Sequence, residues 1–272
     1  MRLDAGCEIL FDASAPTPLI LMLRPRSGAG QRIFREEYLL EPNVPMVEYT
    51  DSYGNLCQRL MTPQGSFRVR AIASAETADM IDVQPGAPFV PVQNIPDGVL
   101  QFLLPSRYCP SDRLGDLATK IVGDRTPGYD QVEAIRDWIQ THIDYRYGTS
   151  DASTSAFETA HDRVGVCRDF AHLGIALCRS LNIPARMVVG YLYQLDPMDL
   201  HAWFEAFVGD SQSQDPQGRW FTFDATQPQP RGNRIAIAYG RDAADVALAT
   251  QFGPLQLNEM RVWVEPSSSA QG

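Results

Sequence analysis

GVCRDFAHLGIALCRSL, residues 165–181, reads as a helix that opens on a cysteine. Gly165 supplies backbone freedom just before Cys167, and Asn182 with Pro184 two residues later stops the helix near Leu181. At 100° per residue, Ala171, Gly174 and Cys178 fall within about 40° of Cys167, and Phe170, Leu173, Leu177 and Leu181 form an adjoining apolar stripe. Small residues below the cysteine let another element approach closely, as a helix lying on strands requires. A thiol at a helix N-terminus meets the positive end of the dipole and unpaired backbone N–H groups. Both favour the thiolate, and the same N–H groups can hold an oxyanion.

Working outward, three runs rich in Val, Phe, Trp and Tyr follow at 186–193, 201–208 and 219–225, separated by DPMD (196–199) and SQSQDPQG (211–218). They predict an antiparallel meander. Before the cysteine the period is 3.6: a short helix over 114–122, a longer one over 129–143 with Val132, Ile135, Ile139 and Ile143 on one stripe beside Trp138, and a third near 155–160. The first hundred residues instead read as short extended runs at 9–11, 19–23, 47–50, 56–61 and 67–75, with a hairpin turn at DSYGN (51–55). A proline-rich stretch over 85–105 reads as an extended connector. The chain is therefore expected to have a β-rich N-terminal domain (1–104), an α+β core (105–265) and a disordered tail, PSSSAQG, at 266–272.

Composition narrows the function. The 272 residues are 44% hydrophobic and 21% charged, enough for a buried core, and the formal net charge is −10. Such a surface repels phosphate backbones and anionic headgroups, so neither nucleic acid nor membrane is expected as a partner. No apolar stretch has the length of a span or a signal h-region, which predicts a cytoplasmic protein. Five cysteines without a CxxC pair indicate neither a disulfide framework nor a zinc finger. Cys167, His172 and Cys178 taken as ligands scatter over more than a third of the helix circumference, so no metal and no cofactor are expected.

A nucleophilic thiol needs a base, and the base needs a group that fixes its tautomer. Of four histidines, His142 ends a helix stripe, His172 lies about 140° round the helix from Cys167, and His161 sits in the approach to the cysteine. His201 opens the strand HAWFEAFV, sharing a face with Trp203, Glu205 and Phe207, while in WFTFDAT Trp220, Thr222 and Asp224 share another. Asp224, at the end of the neighbouring strand, is placed to reach His201 across the pair and to stabilise its imidazolium form.

Cysteine at the start of a helix, then His and Asp on successive strands, resembles the transglutaminase-like superfamily. The surrounding words are similar too: YRYG (145–148), GVCRDFAHL (165–173), IPARMVVGY (183–191), LHAWFEAFV (200–208) and WFTFDATQ (220–227), with GRDAADVA (240–247) resembling a stretch after the core in bacterial members. The resemblance spans about residues 105–250. It implies a papain-like cysteine fold, helices packed on an antiparallel sheet or small barrel, with Cys167 as nucleophile, His201 as base and Asp224 as orienter. Arg168 follows the cysteine where the animal cross-linking enzymes carry Trp, so calcium dependence and cross-linking are not carried over.

Other residues have weaker readings. Tyr145 and Tyr147 either donate to an oxyanion or line the acyl pocket, or simply pack at a seam; Trp203 either covers the imidazole or fills the core. Arg168 and Asp169 are explained by a local ion pair, and Cys178 by burial. The expected chemistry is acyl transfer from a peptide or other amide through a thioester on Cys167, with water as acceptor, as in a cysteine protease or amidase. The alternatives are a transamidase using an amine acceptor and a binding or scaffold module without turnover. The loops at 194–200 and 209–218 bracket the triad strands and are the expected specificity elements.

Overall fold

The computed structural model describes residues 1–28, 30–210 and 218–267. Six strands come first: β1 (Arg2–Ala13), β2 (Thr17–Arg24), β3 (Gln31–Glu41), β4 (Met46–Thr50), β5 (Leu56–Thr62) and β6 (Gly65–Thr77). Alternation builds them. In β1 the side chains of Leu3, Ala5, Cys7, Ile9 and Phe11 are buried, and in β6 Phe67, Val69 and Ala71 are buried while Arg68 and Arg70 face water. The 51–55 turn joins β4 to β5 as expected: the Asp51 carboxylate accepts from the Tyr53 and Asn55 N–H groups, and Gly54 sits at φ +82°.

The proline-rich stretch is not simply extended. It folds into short turns and a four-residue helix, α1 (Asp97–Leu100), with Pro96 at the N-cap, where a missing N–H costs nothing. There follow α2 (Gly115–Val122), α3 (Tyr129–His142), β7 (Asp144–Tyr145), α4 (Ala156–Asp162), β8 (Val164–Gly165) and α5 (Cys167–Ser180). The α3 stripe is buried at Val132, Ile135 and Ile139, as the periodicity predicts. Then come β9 (Ala185–Leu192), β10 (His201–Val208), β11 (Arg219–Phe223), β12 (Arg234–Gly240), β13 (Ala249–Gln251) and β14 (Leu255–Pro266).

The expected meander forms: β11, β10 and β9 pair antiparallel, and β12 extends the sheet beyond β9. Helix α5 lies on one face of it. Gly174 makes this possible, because a Cβ there would come within 2.5 Å of the Phe204 ring of β10. At its far end α5 stops in a double bond pattern, with Asn182 N–H donating to Arg179 O and Ile183 N–H to Cys178 O, and with Asn182 in the left-handed region at φ +61°.

The core does not run to residue 265. Residues 249–266 return to the N-terminal half, where β13 pairs with β2 and β14 pairs along β1. Two four-stranded antiparallel sheets result, ordered β14-β1-β6-β3 and β13-β2-β5-β4. The apolar inner face of β1 needs a partner on each side, and the C-terminal strand supplies one. Pro266 ends β14 and the Ser267 N–H donates to Arg2 O, whereas residues 268–272 of the expected disordered tail lie outside the described residues. The N-terminal half also covers the free edge of β12. The Gln31 amide takes both backbone groups of Ala236, and the Asn55 amide both backbone groups of Tyr239, at 2.7–2.9 Å, so two side chains do what a neighbouring strand would.

Candidate active site

Cys167 is the first residue of α5 and half-buried, the other four cysteines being fully buried. Its helix start is fixed by Asp169, whose carboxylate accepts the Val166 N–H at 2.9 Å and pairs with Arg168 at 3.0 Å. Gly165 is needed for space and not for a left-handed backbone: a Cβ there would lie 2.7 Å from the Asp169 side chain.

The imidazole of His201, first residue of β10, lies close enough to the Cys167 thiol for the thiol to raise its pKa. On its other side His201 Nε2 donates to Asp224 Oδ2 at 2.7 Å. Asp224 follows the last residue of β11, in the diagonal position that the strand pairing allows. The sequence-predicted trio is thus brought together, with His201 2% and Asp224 7% exposed. Burial disfavours a charged imidazole, yet the Asp224 carboxylate and the Cys167 thiol outweigh it and hold His201 up at about 9. Burial likewise opposes ionisation of Asp224. The charges of His201 and Arg234 and the hydrogen bonds from His201 and Thr226 overcome it, and the carboxyl lies well below its ordinary range.

Two partners of Asp224 escape the sequence reading. The Thr226 N–H and hydroxyl both donate to Asp224 Oδ1, at 3.0 and 2.7 Å. An Asp followed two residues later by Thr is a known local turn signature, so this one was findable. Arg234, at the start of β12, places Nη2 2.8 Å from Asp224 Oδ2. No local signal marks it, since sheet order alone brings it there.

Tyr145 and Tyr147 are exposed, in and just after the short β7 strand that pairs with β8 ahead of Cys167. Burial and the neighbouring Cys167 raise the Tyr145 phenol well above its ordinary value. Its ring meets those of Tyr147 and Phe170 at 5.5 and 5.6 Å. Trp203 is buried beside His201, ring centres 6.1 Å apart and planes 28° apart. The remaining histidines stand elsewhere: His161 is exposed beside Asp162, His142 stacks on Trp138, and His172 is fully buried, accepting the Ala243 N–H and stacked on Tyr108. Burial pushes His172 down to about 4 and the Cys178 thiol up. Of the two expected specificity loops, 194–200 is described and residues 211–217 of the other lie outside the described residues. No helix among the described residues is long and apolar enough to cross a membrane.

A helix whose first residue is a cysteine, packed on an antiparallel sheet that carries a paired His and Asp, defines the papain-like class of thiol proteins. A family profile described as the transglutaminase-like superfamily matches residues 115–225, the helices and the first three strands of this sheet. The solved structure of a Cytophaga hutchinsonii protein, provisionally described as a cysteine protease, is 36% identical and superposes with a TM-score of 0.88, covering 100% of this chain and 92% of that one. The chain belongs to the transglutaminase-like superfamily. Uncharacterised proteins of Mycobacterium leprae and Mycobacterium tuberculosis are 27% and 29% identical, over 83% and 82% of this chain and 82% and 77% of theirs.

Proposed function

We propose that the protein transfers the acyl group of a peptide or other amide to water through a thioester on Cys167. The reading is carried by one observation, a half-exposed helix-start thiol beside a buried imidazole that a carboxylate holds. In this scheme the Cys167 thiolate attacks the amide carbonyl while His201, charged, stands ready to protonate the leaving amine. Asp224 fixes the Nε2–H tautomer and stabilises the imidazolium. The developing oxyanion is met by the Cys167 backbone N–H and the phenol of Tyr145, whose raised range keeps it a donor at neutral pH. Water, admitted with His201 now as base, releases the acid. The provisional description of the Cytophaga relative supports hydrolysis over transfer to an amine. Five free thiols, four of them buried, suit a reducing compartment, and we place the protein in the cytoplasm.

The test is iodoacetamide labelling located by peptide mass spectrometry, followed by a screen of peptide, glutamine and small-amide substrates with and without an added amine. Fast labelling confined to Cys167, slowed in His201→Ala, together with amide hydrolysis that Cys167→Ala abolishes, is the expected result. Uniformly slow labelling of all five thiols overturns the reading in favour of a scaffold module. Product that forms only when an amine is present replaces hydrolase with transamidase.

A further inference from the structure

A cavity of about 400 Å³ lies between the N-terminal half and the face of the catalytic sheet turned away from α5. Cys167, His201 and Asp224 do not line it, although Trp203 and Arg234, their neighbours, do. Much of the charge in its wall is already matched. Arg186 holds Glu205 at 2.6–2.7 Å and lies between Trp220 and Tyr239, its guanidinium carbon 4.2 and 4.4 Å from the two ring centres. Arg219 holds Asp82 at 2.6 Å.

Two donors in the wall are not matched. Arg234 is 8% and Trp203 3% exposed, and among the described residues neither Arg234 Nη1 nor Trp203 Nε1 has an acceptor, with the guanidinium carbon 5.0 Å from the indole ring centre. A buried N–H without an acceptor is costly, and a ligand that brings an acceptor removes the cost. A guanidinium favours a charged acceptor over a neutral one. The apolar side chains of Met80, Ile81 and Phe221 in the wall favour an apolar body, and the volume lies in the range of small-ligand sites.

We propose that this cavity is a second binding site, which takes a small carboxylate bearing an aromatic ring, the carboxylate held at Arg234 and Trp203 and the ring against Met80, Ile81 and Phe221. The proposal does not depend on the reaction at Cys167.

Calorimetric titration of the intact protein with 3-phenylpropionate, 3-phenylpropanol and inorganic phosphate tests it, each run before and after Cys167 has been blocked with iodoacetamide. The expected result is saturable one-to-one binding of the carboxylate, unchanged by the block, with the alcohol and phosphate each at least tenfold weaker. Trp203→Phe, which keeps a ring and removes the N–H, is expected to weaken binding three- to tenfold. Ala78→Trp, at the exposed rim, obstructs the cavity without touching the core and is expected to abolish it. No saturable heat with the carboxylate overturns the proposal, as does equal binding of the alcohol or of phosphate, loss of binding on blocking Cys167, or undiminished binding in Ala78→Trp. Binding that survives the block while the thiol proves unreactive upholds this site and sinks the enzymatic reading alone.

Discussion

Asp224 uses each carboxylate oxygen twice: Oδ1 takes two bonds from Thr226, and Oδ2 serves both His201 and Arg234. Its consequence is a histidine held up at about 9 against the effect of burial. In the proposed reaction the imidazolium protonates the leaving amine, and it is lost as the pH rises through about 9, so kcat/KM is expected to fall on an alkaline limb there. The same raised value contributes stability that is fully present below the ordinary histidine value of about 6.5 and disappears as the pH passes about 9. In Asp224→Asn the largest remaining influence on His201 is burial, which acts downward. NMR titration of the variant should find the imidazole at or below about 6.5, with kcat lowered by about 10²- to 10⁴-fold. A histidine that still titrates near 9 in the variant would show that Asp224 is not what charges it. The trio of Cys167, His201 and Asp224 was legible because each sits at the end of an element that its own sequence marks. Arg234 was not, since its nearness to Asp224 depends on β12 joining the sheet beyond β9, a pairing between residues that no local pattern links.

Among the elements, α5 carries the clearest message. Its stripe of small residues announced close packing, and Gly174 against Phe204 is where that packing is tightest. Gly174→Ala gains about 1 kcal/mol of helix propensity. It also drives a methyl into a ring that is 1% exposed and backed by the sheet, so a net loss of about 1–2 kcal/mol is expected by denaturant unfolding. The other end of α5 was less readable. Arg179, 3% exposed, donates to the carbonyls of Leu104, Ala185 and Arg241 and to the Ser106 hydroxyl, tying the helix to the start of β9 and to two segments distant in sequence. Arg179→Met leaves those acceptors buried and unmatched, and a loss of about 3 kcal/mol or more is expected in the same measurement. A long basic side chain in the last turn of a helix reads as a solvated cap, and only the tertiary arrangement shows otherwise. Strands β3 and β12 were missed for opposite reasons. QRIFREEYLLE is an edge strand too charged and exposed to alternate cleanly, while RIAIAYG is buried throughout and breaks its period at a bulge between Ala236 and Ala238.

For the whole molecule, the first and last strands being neighbours means that the N-terminal half is completed only when the half that carries Cys167 and His201 has been made, since the chain passes through β7–β12 before β14 reaches β1. This could not be read from the sequence, because a strand's own residues say that it needs a partner and not which one. The two halves are then joined by backbone-like bonds, the amides of Gln31 and Asn55 standing in for a strand along β12. Asn55 is 1% exposed, so Asn55→Ala strands the N–H and C=O of Tyr239 in a buried seam, at about 1–3 kcal/mol for each group left without a partner. If the halves fold as one unit, calorimetry of the variant should show a single transition moved to lower temperature, with both halves losing structure together. Two transitions, only one of them displaced, would mean that each half stands alone and that the amide seam is a contact between finished domains. The shared core favours the first outcome: buried Cys7 of β1 and buried Tyr191 of β9 belong to one continuous hydrophobic cluster, so the seam is continuous with the interior of both sheets.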